Sequence, residues 1–160
     1  MTKTKMLRSA ALAGILWAVS PHSFAQNNVL TIAPPDRLTA KAGATAEARL
    51  KVELRSGYHC NSNTPSDDYL IPLKLTWTPG ALEVGDVVYP KPQMEKYSFS
   101  EKPLSVYTGN FEIVTHFKVA ANAAPGDALI PAKLRYQACT DRMCLPPKTV
   151  EVSLPVNVVR

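Results

Sequence analysis

From Thr45 to Leu54 apolar and polar residues take turns without a break. Ala46, Ala48, Leu50, Val52 and Leu54 fall on one side of an extended chain, and Glu47, Arg49, Lys51 and Glu53 on the other. That period of two belongs to a half-buried β-strand with one solvated face. The same pattern returns along the chain. Phe111, Ile113, Thr115, Phe117 and Val119 oppose Glu112, His116 and Lys118. Ala128, Ile130, Ala132, Leu134 and Tyr136 oppose Lys133, Arg135 and Gln137, a register that makes Cys139 outward-facing. Val150, Val152, Leu154, Val156 and Val158 form the apolar side of a last strand, Lys148 to Val158.

Shorter runs fill the gaps. Val29 to Ala33 reads as a first strand stopped by Pro34-Pro35. Ile71, Leu73, Leu75 and Trp77 alternate, with Pro72 pointing to an edge or a bulge. Ala81 to Tyr89 is a weaker strand broken by Gly85-Asp86. Leu104 to Tyr107 and Phe111 to Val119 read as a hairpin joined at Thr108-Gly109-Asn110. Ser56 to Asp68 reads as a polar loop, and Pro90 to Pro103 as a long one holding Glu95, Tyr97 and Phe99. Fourteen prolines leave no room for a long helix after the first residues. The fold class that follows is all-β, an antiparallel sandwich of about seven to nine strands, without repeats or a second domain.

The first residues differ from the rest. Lys3, Lys5 and Arg8 precede an apolar run from Ala10 to Val19, and Ser23-Phe24-Ala25 offers small residues for cleavage. Residues 1–25 therefore read as an export signal that is removed, leaving 26–160 as one domain with enough chain to bury a core. The apolar run is too short to persist as a membrane anchor, and no later segment is apolar enough to span a bilayer. The reading is a soluble exported protein of the periplasm. Removing the three leader cations lowers the net charge from +5 to +2, too weak to argue nucleic-acid binding.

Chemistry concentrates in Tyr136-Gln137-Ala138-Cys139-Thr140-Asp141-Arg142-Met143-Cys144-Leu145-Pro146-Pro147. Four residues between two cysteines suit a hairpin loop. Residues facing each other in a non-hydrogen-bonded antiparallel pair have Cα atoms about 4.5 Å apart, close enough for a disulfide. Thr140 and Asp141 suit the turn, because their side chains bond nearby backbone. A bridge this local stabilises by about 2 kcal/mol, against about 4.5 for a loop of about 80 residues, so it is a weak staple. Spacing alone leaves a redox pair, a structural bridge and a metal site open. Arg142 favours a thiolate and Asp141 opposes it.

The motif Tyr-Gln-Ala-Cys-x4-Cys-Leu-Pro-Pro resembles the active-site stretch of the N-terminal domain of the thiol:disulfide interchange protein DsbD family. Gly57-Tyr58-His59 with Asn61-Ser62-Asn63, and Leu104-Ser105-Val106-Tyr107, resemble other segments of that domain. The resemblance implies an immunoglobulin-like sandwich and a Cys139–Cys144 pair cycling between dithiol and disulfide without a cofactor. It implies electrons arriving from a membrane thiol reductase and leaving to periplasmic thioredoxin-like proteins, in routes such as cytochrome c maturation. By the same analogy Cys139 forms the mixed disulfide. A cap loop shields the cysteines in that family, which by position makes Tyr97 and Phe99 the shield, with Glu95 and Tyr58 beside it. The alternative for these rings is plain packing of the loop onto the sandwich. In the family a membrane domain and a thioredoxin-like domain usually follow, so a chain ending after the sandwich would take its electrons from another protein.

Other readings stay in view. Cys60 is the third cysteine, read as a buried free thiol, a resolving thiol or an interchain partner. A non-catalytic binding module with a pinned hairpin is the main alternative. A Cu(I) site from His59, Cys60, Met94, His116 and Met143 is a weaker one, since no His-x-x-His or Met run supports it. No Gly-x-Ser-x-Gly elbow is present, and Asp67-Asp68 reads as a solvated pair.

Overall fold

A computed structural model describes residues 28–160. The expected leader and its cleavage site lie outside the described residues. The described chain is all-β, in three four-stranded sheets. The first sheet has the order β1 (Leu30–Ile32), β3 (Thr45–Leu54), β9 (Asn110–Lys118), β6 (Glu83–Val88). The second runs β2 (Leu38–Lys41), β12 (Lys148–Val159), β10 (Gly126–Tyr136), β5 (Lys74–Trp77). These two sheets contribute to one continuous core that includes Leu50, Ile113, Phe117, Ile130, Leu134 and Val156. The third is small: β11 (Ala138–Cys139), β4 (His59–Asn61), β8 (Leu104–Thr108), β7 (Gln93–Glu95). The architecture is the β-sandwich expected from the alternation, of the immunoglobulin-like kind that the family resemblance implied.

The long strands follow the pattern of the sequence. Every second residue of β3 from Ala48 to Leu54 is buried, as is every second residue of β10 from Ile130 to Tyr136. Thr115 is the polar member of the inward set of β9, and it accepts a 3.0 Å hydrogen bond from Trp77 Nε1, so neither polar atom is buried unpaired. β5 is an edge strand, as Pro72 foretold. Gly85-Asp86 forms a bulge between Val84 and Val87 against β9. A Cβ at Gly85 would lie 2.7 Å from the His116 carbonyl oxygen, which explains the glycine.

Two expectations are corrected. β8 and β9 are not a hairpin: β8 pairs with β4 and β7, whereas β9 pairs with β3 and β6. The chain changes sheets at Gly109, whose φ of 60° lets it turn sharply between them. The structure also has more strands than the alternation showed, because β4, β7 and β11 have two or three residues each, too few to display a period.

Candidate functional site

β10 and β12 pair along their whole length, ending at Tyr136↔Lys148. Residues 137–147 project beyond that pair as a smaller hairpin. Leu145 N donates to the Ala138 carbonyl and Thr140 N to the Met143 carbonyl, each at 2.8 Å. Cys139 and Cys144 lie between these bonds as a non-hydrogen-bonded pair, with Cα atoms 3.9 Å apart, and are joined by a disulfide. Thr140 makes the turn: its Oγ1 accepts from the backbone N–H of Arg142 and of Met143, at 3.2 Å each. The Asp141 side chain takes no part in this network and lines a groove instead.

β11 attaches the hairpin to the third sheet through Ala138↔Cys60 and Cys139↔His59, and β4 continues to β8 through His59↔Thr108 and Cys60↔Tyr107. Adjacent strand residues face opposite sides, so Cys60, Ala138 and Tyr107 point to the core while His59 and Cys139 share the other face. Cys60 is fully buried and free, and burial pushes its thiol up to about 12. The structure therefore keeps Cys60 apart from the disulfide and inert, the plainest of the readings open to it.

Cys139 departs from expectation. Its face is outward with respect to the core, yet it is only 2% exposed. The reason is a second cover: both faces of β4 and β11 are hidden, every residue of the two strands being buried. Cys144 is exposed, as are Arg142, Met143, Pro146 and Pro147. The two sulfurs of one bond thus belong to residues in different environments.

The cover is the loop between β7 and β8. The Tyr97 ring stacks on His59 with centroids 4.0 Å apart, and Phe99 stacks on Tyr97 at 5.5 Å. Tyr97 is half-buried and donates to Glu95 Oε2 at 3.3 Å, while Ser98 Oγ reaches the Asp141 carbonyl at 3.5 Å. The loop thus touches both the β4 face and the cysteine hairpin. The Tyr97 ring thus packs against the His59 face of β4, with Phe99 stacked behind it. Burial, reinforced by Glu95, raises the Tyr97 hydroxyl pKa, so the phenol stays protonated. Beside the flap lies an open groove of about 700 Å³, lined by Tyr58, His59, Glu95, Tyr97, Thr108 and Asp141 among others. Tyr58, Glu95 and Tyr97 thus line one groove, and Phe99 stacks on Tyr97.

The copper set does not assemble. His116 lies on β9 of the first sheet, bonded to Asp86 and Glu47, and His59 lies on the third. Among the described residues no group of three or more His, Cys, Asp or Glu side chains is arranged to hold a metal ion. The importance of His59 was not legible in the sequence, because only the strand register shows that it faces Cys139.

A family model described as the N-terminal part of the thiol:disulfide interchange protein DsbD matches residues 29–155. The chain belongs to this DsbD N-terminal family. Among solved structures it is similar to the N-terminal periplasmic domain of ScsB from Proteus mirabilis, with a TM-score of 0.52 and 14% identity over 73% of this chain and 43% of that one. It is also similar to the DsbD N-terminal domain of Neisseria meningitidis in the reduced form, with a TM-score of 0.49 and 19% identity over 79% of this chain and 86% of that one. The chain thus spans less than half of the ScsB structure, and the likeness to it is one of fold. No curated protein sequence matches the chain. DsbD-family membership and the Cys139–Cys144 disulfide together support a thiol–disulfide exchange module.

Proposed function

We propose that the protein is an exported thiol:disulfide interchange module that carries electrons through Cys139 and Cys144. Residues 1–25 direct export, and 26–160 work in the periplasm as a single domain. Among the described residues no helix is long and apolar enough to cross a membrane. A membrane thiol reductase supplies electrons, and thioredoxin-like proteins accept them. The observation that carries this reading is the placement of the bond. It lies at an exposed hairpin mouth, beneath an aromatic flap and beside a groove, where a purely structural bridge would gain about 2 kcal/mol at most.

The asymmetry of the pair orders the steps. An incoming thiolate meets Cys144, the exposed member. It attacks the Cys144 sulfur, the bond to Cys139 breaks, and the electron pair leaves on Cys139. A second thiol of the donor then attacks the mixed disulfide and releases Cys144 as a thiolate. In the reverse direction Cys144 attacks the acceptor disulfide and Cys139 resolves the intermediate. This order reverses the analogy that assigned the mixed disulfide to Cys139. The physical reason is burial, since Cys139 is covered by the flap.

The test is the reduction potential of the pair, measured by equilibration in thiol buffers and alkylation with mass readout. A carrier is expected at about −200 to −250 mV with fast exchange. A potential below about −300 mV, or a bridge that opens only on unfolding, would make it a staple and leave a binding module. Replacing both cysteines by serine should abolish exchange while the sandwich stays folded.

A further inference from the structure

The exchange scheme leaves one buried group without a task. His59 is 3% exposed, and its Nε2 is the one buried side-chain nitrogen or oxygen without a hydrogen-bond partner among the described residues. Native structures rarely tolerate such an atom, so its partner needs a physical account. Cys139 stands directly opposite His59 in the β11–β4 pair. Opposed residues of an antiparallel pair put their Cβ atoms about 4.5–5.5 Å apart on one face. Tyr97 closes over the ring, and Thr108 on β8 flanks it. The titratable groups around this face are Glu95 of β7, Tyr97 of the flap and Cys139 of β11. Glu53, Tyr58 and Asp141 lie along the groove. None of them bonds to His59 Nε2.

While the disulfide is formed, the Cys139 sulfur carries no proton and offers Nε2 nothing. Once the bond opens, a thiol appears on the same face. The orphaned atom of the oxidised state then has a partner that exists only in the reduced state. We propose that His59 Nε2 accepts and returns the proton of the Cys139 thiol during exchange, an inference that rests on the function proposed above.

The steps balance. On reoxidation Cys144 first forms a mixed disulfide with the acceptor. Cys139 S–H passes its proton to Nε2, its thiolate attacks the Cys144 sulfur, and the acceptor sulfur leaves as a thiolate. The imidazolium then releases its proton to water through the groove. On reduction the same steps run backwards, and the imidazolium returns the proton to the Cys139 thiolate as it leaves. Burial lowers the His59 pKa against the opposing pull of Glu95, which keeps the resting ring neutral and Nε2 free to accept.

The experiment follows oxidation of the reduced full chain by oxidised glutathione from pH 5 to 9, quenched by acid and read by mass. His59→Phe keeps a ring for Tyr97 to stack on and removes both nitrogens. His59→Gln keeps a polar group that does not titrate. The wild type is expected to show an inflection below the usual imidazole range that both variants lack. At pH 7 the glutathione adduct on Cys144 should accumulate in His59→Phe, with resolution slowed about tenfold or more. A folded His59→Phe variant with the wild-type rate and pH profile would overturn the proposal while leaving the exchange function intact. Should His59→Phe fail to fold, an unchanged profile in His59→Gln has the same force. Wild-type protein that forms no adduct and exchanges only on unfolding would instead remove the exchange reading, and this inference with it.

Discussion

Cys139 and Cys144 share one bond but differ in access, and the difference can be given a size. In Cys139→Ser the remaining thiol is the exposed Cys144. In Cys144→Ser it is Cys139, 2% exposed beneath the flap, so a reagent must wait for the flap to lift. Lifting it separates Tyr97 from His59, stacked at 4.0 Å. Tyr97 is half-buried, so the area term is about 1 kcal/mol, roughly half that of a fully buried ring. The stack adds about 0.5–1.5 kcal/mol. The Ser98 contact to Asp141 is long and exposed and is given no weight. The closed state is therefore favoured by about 2 kcal/mol, which at about 1.4 kcal/mol per decade is roughly 30-fold.

The assay is alkylation by iodoacetamide followed across a range of pH, with the plateau rate of each thiolate compared, so that any difference in ionisation between the two thiols, including an influence of His59, drops out. Peptide-level mass readout separates the sites, and Cys60, buried with its thiol pushed up to about 12, serves as the slow internal reference. Cys144 should react about 30-fold faster than Cys139, and Tyr97→Ala in the Cys144→Ser background should shrink that ratio to a few-fold. Equal rates at the two cysteines, or a ratio that Tyr97→Ala leaves intact, would refute the reasoning.

Three further outcomes follow from the sandwich itself. Thr115→Val keeps the side-chain shape but orphans Trp77 Nε1, so urea unfolding should show a loss of about 1–3 kcal/mol with an unchanged slope. Gly85→Ala forces a Cβ to within 2.7 Å of the His116 carbonyl oxygen, and the bulge must open at a cost of about 1–3 kcal/mol, read as a lower thermal midpoint. The hydrogen bond to Asp86 raises the His116 pKa above its usual 6.5, so an NMR titration should find its midpoint higher and Asp86→Asn should bring it down. The sign follows: this pair stabilises the fold below pH 6.5 and the contribution fades as pH rises through the folded-state value, a slope that Asp86→Asn should flatten.

The long strands were legible because each has one face in the core and one in water, so β3, β9, β10 and β12 write their burial into the sequence as alternation. The cysteine hairpin was legible for a different reason, since its turn and both halves of its bond lie within one short stretch. The rest of the site obeys neither rule. His59, Tyr97 and Cys139 come from three distant segments and meet only because β4 pairs with both β8 and β11. No local pattern encodes that pairing, which is why β8 and β9 read as a hairpin when they belong to different sheets. Cys139 shows the limit most clearly. Its parity along the strand was right, for it does face away from the core, but parity says nothing about what covers that side. The flap turns an outward position into a buried one, leaves Cys144 as the exposed end of the bond, and sets a histidine without a partner beside the buried end. Access to the pair therefore depends on a loop whose aromatic residues the sequence shows, but whose docking onto β4 no local pattern encodes. Changes in residues 96–103 should alter exchange more than equally drastic changes in the solvated faces of β3 or β10.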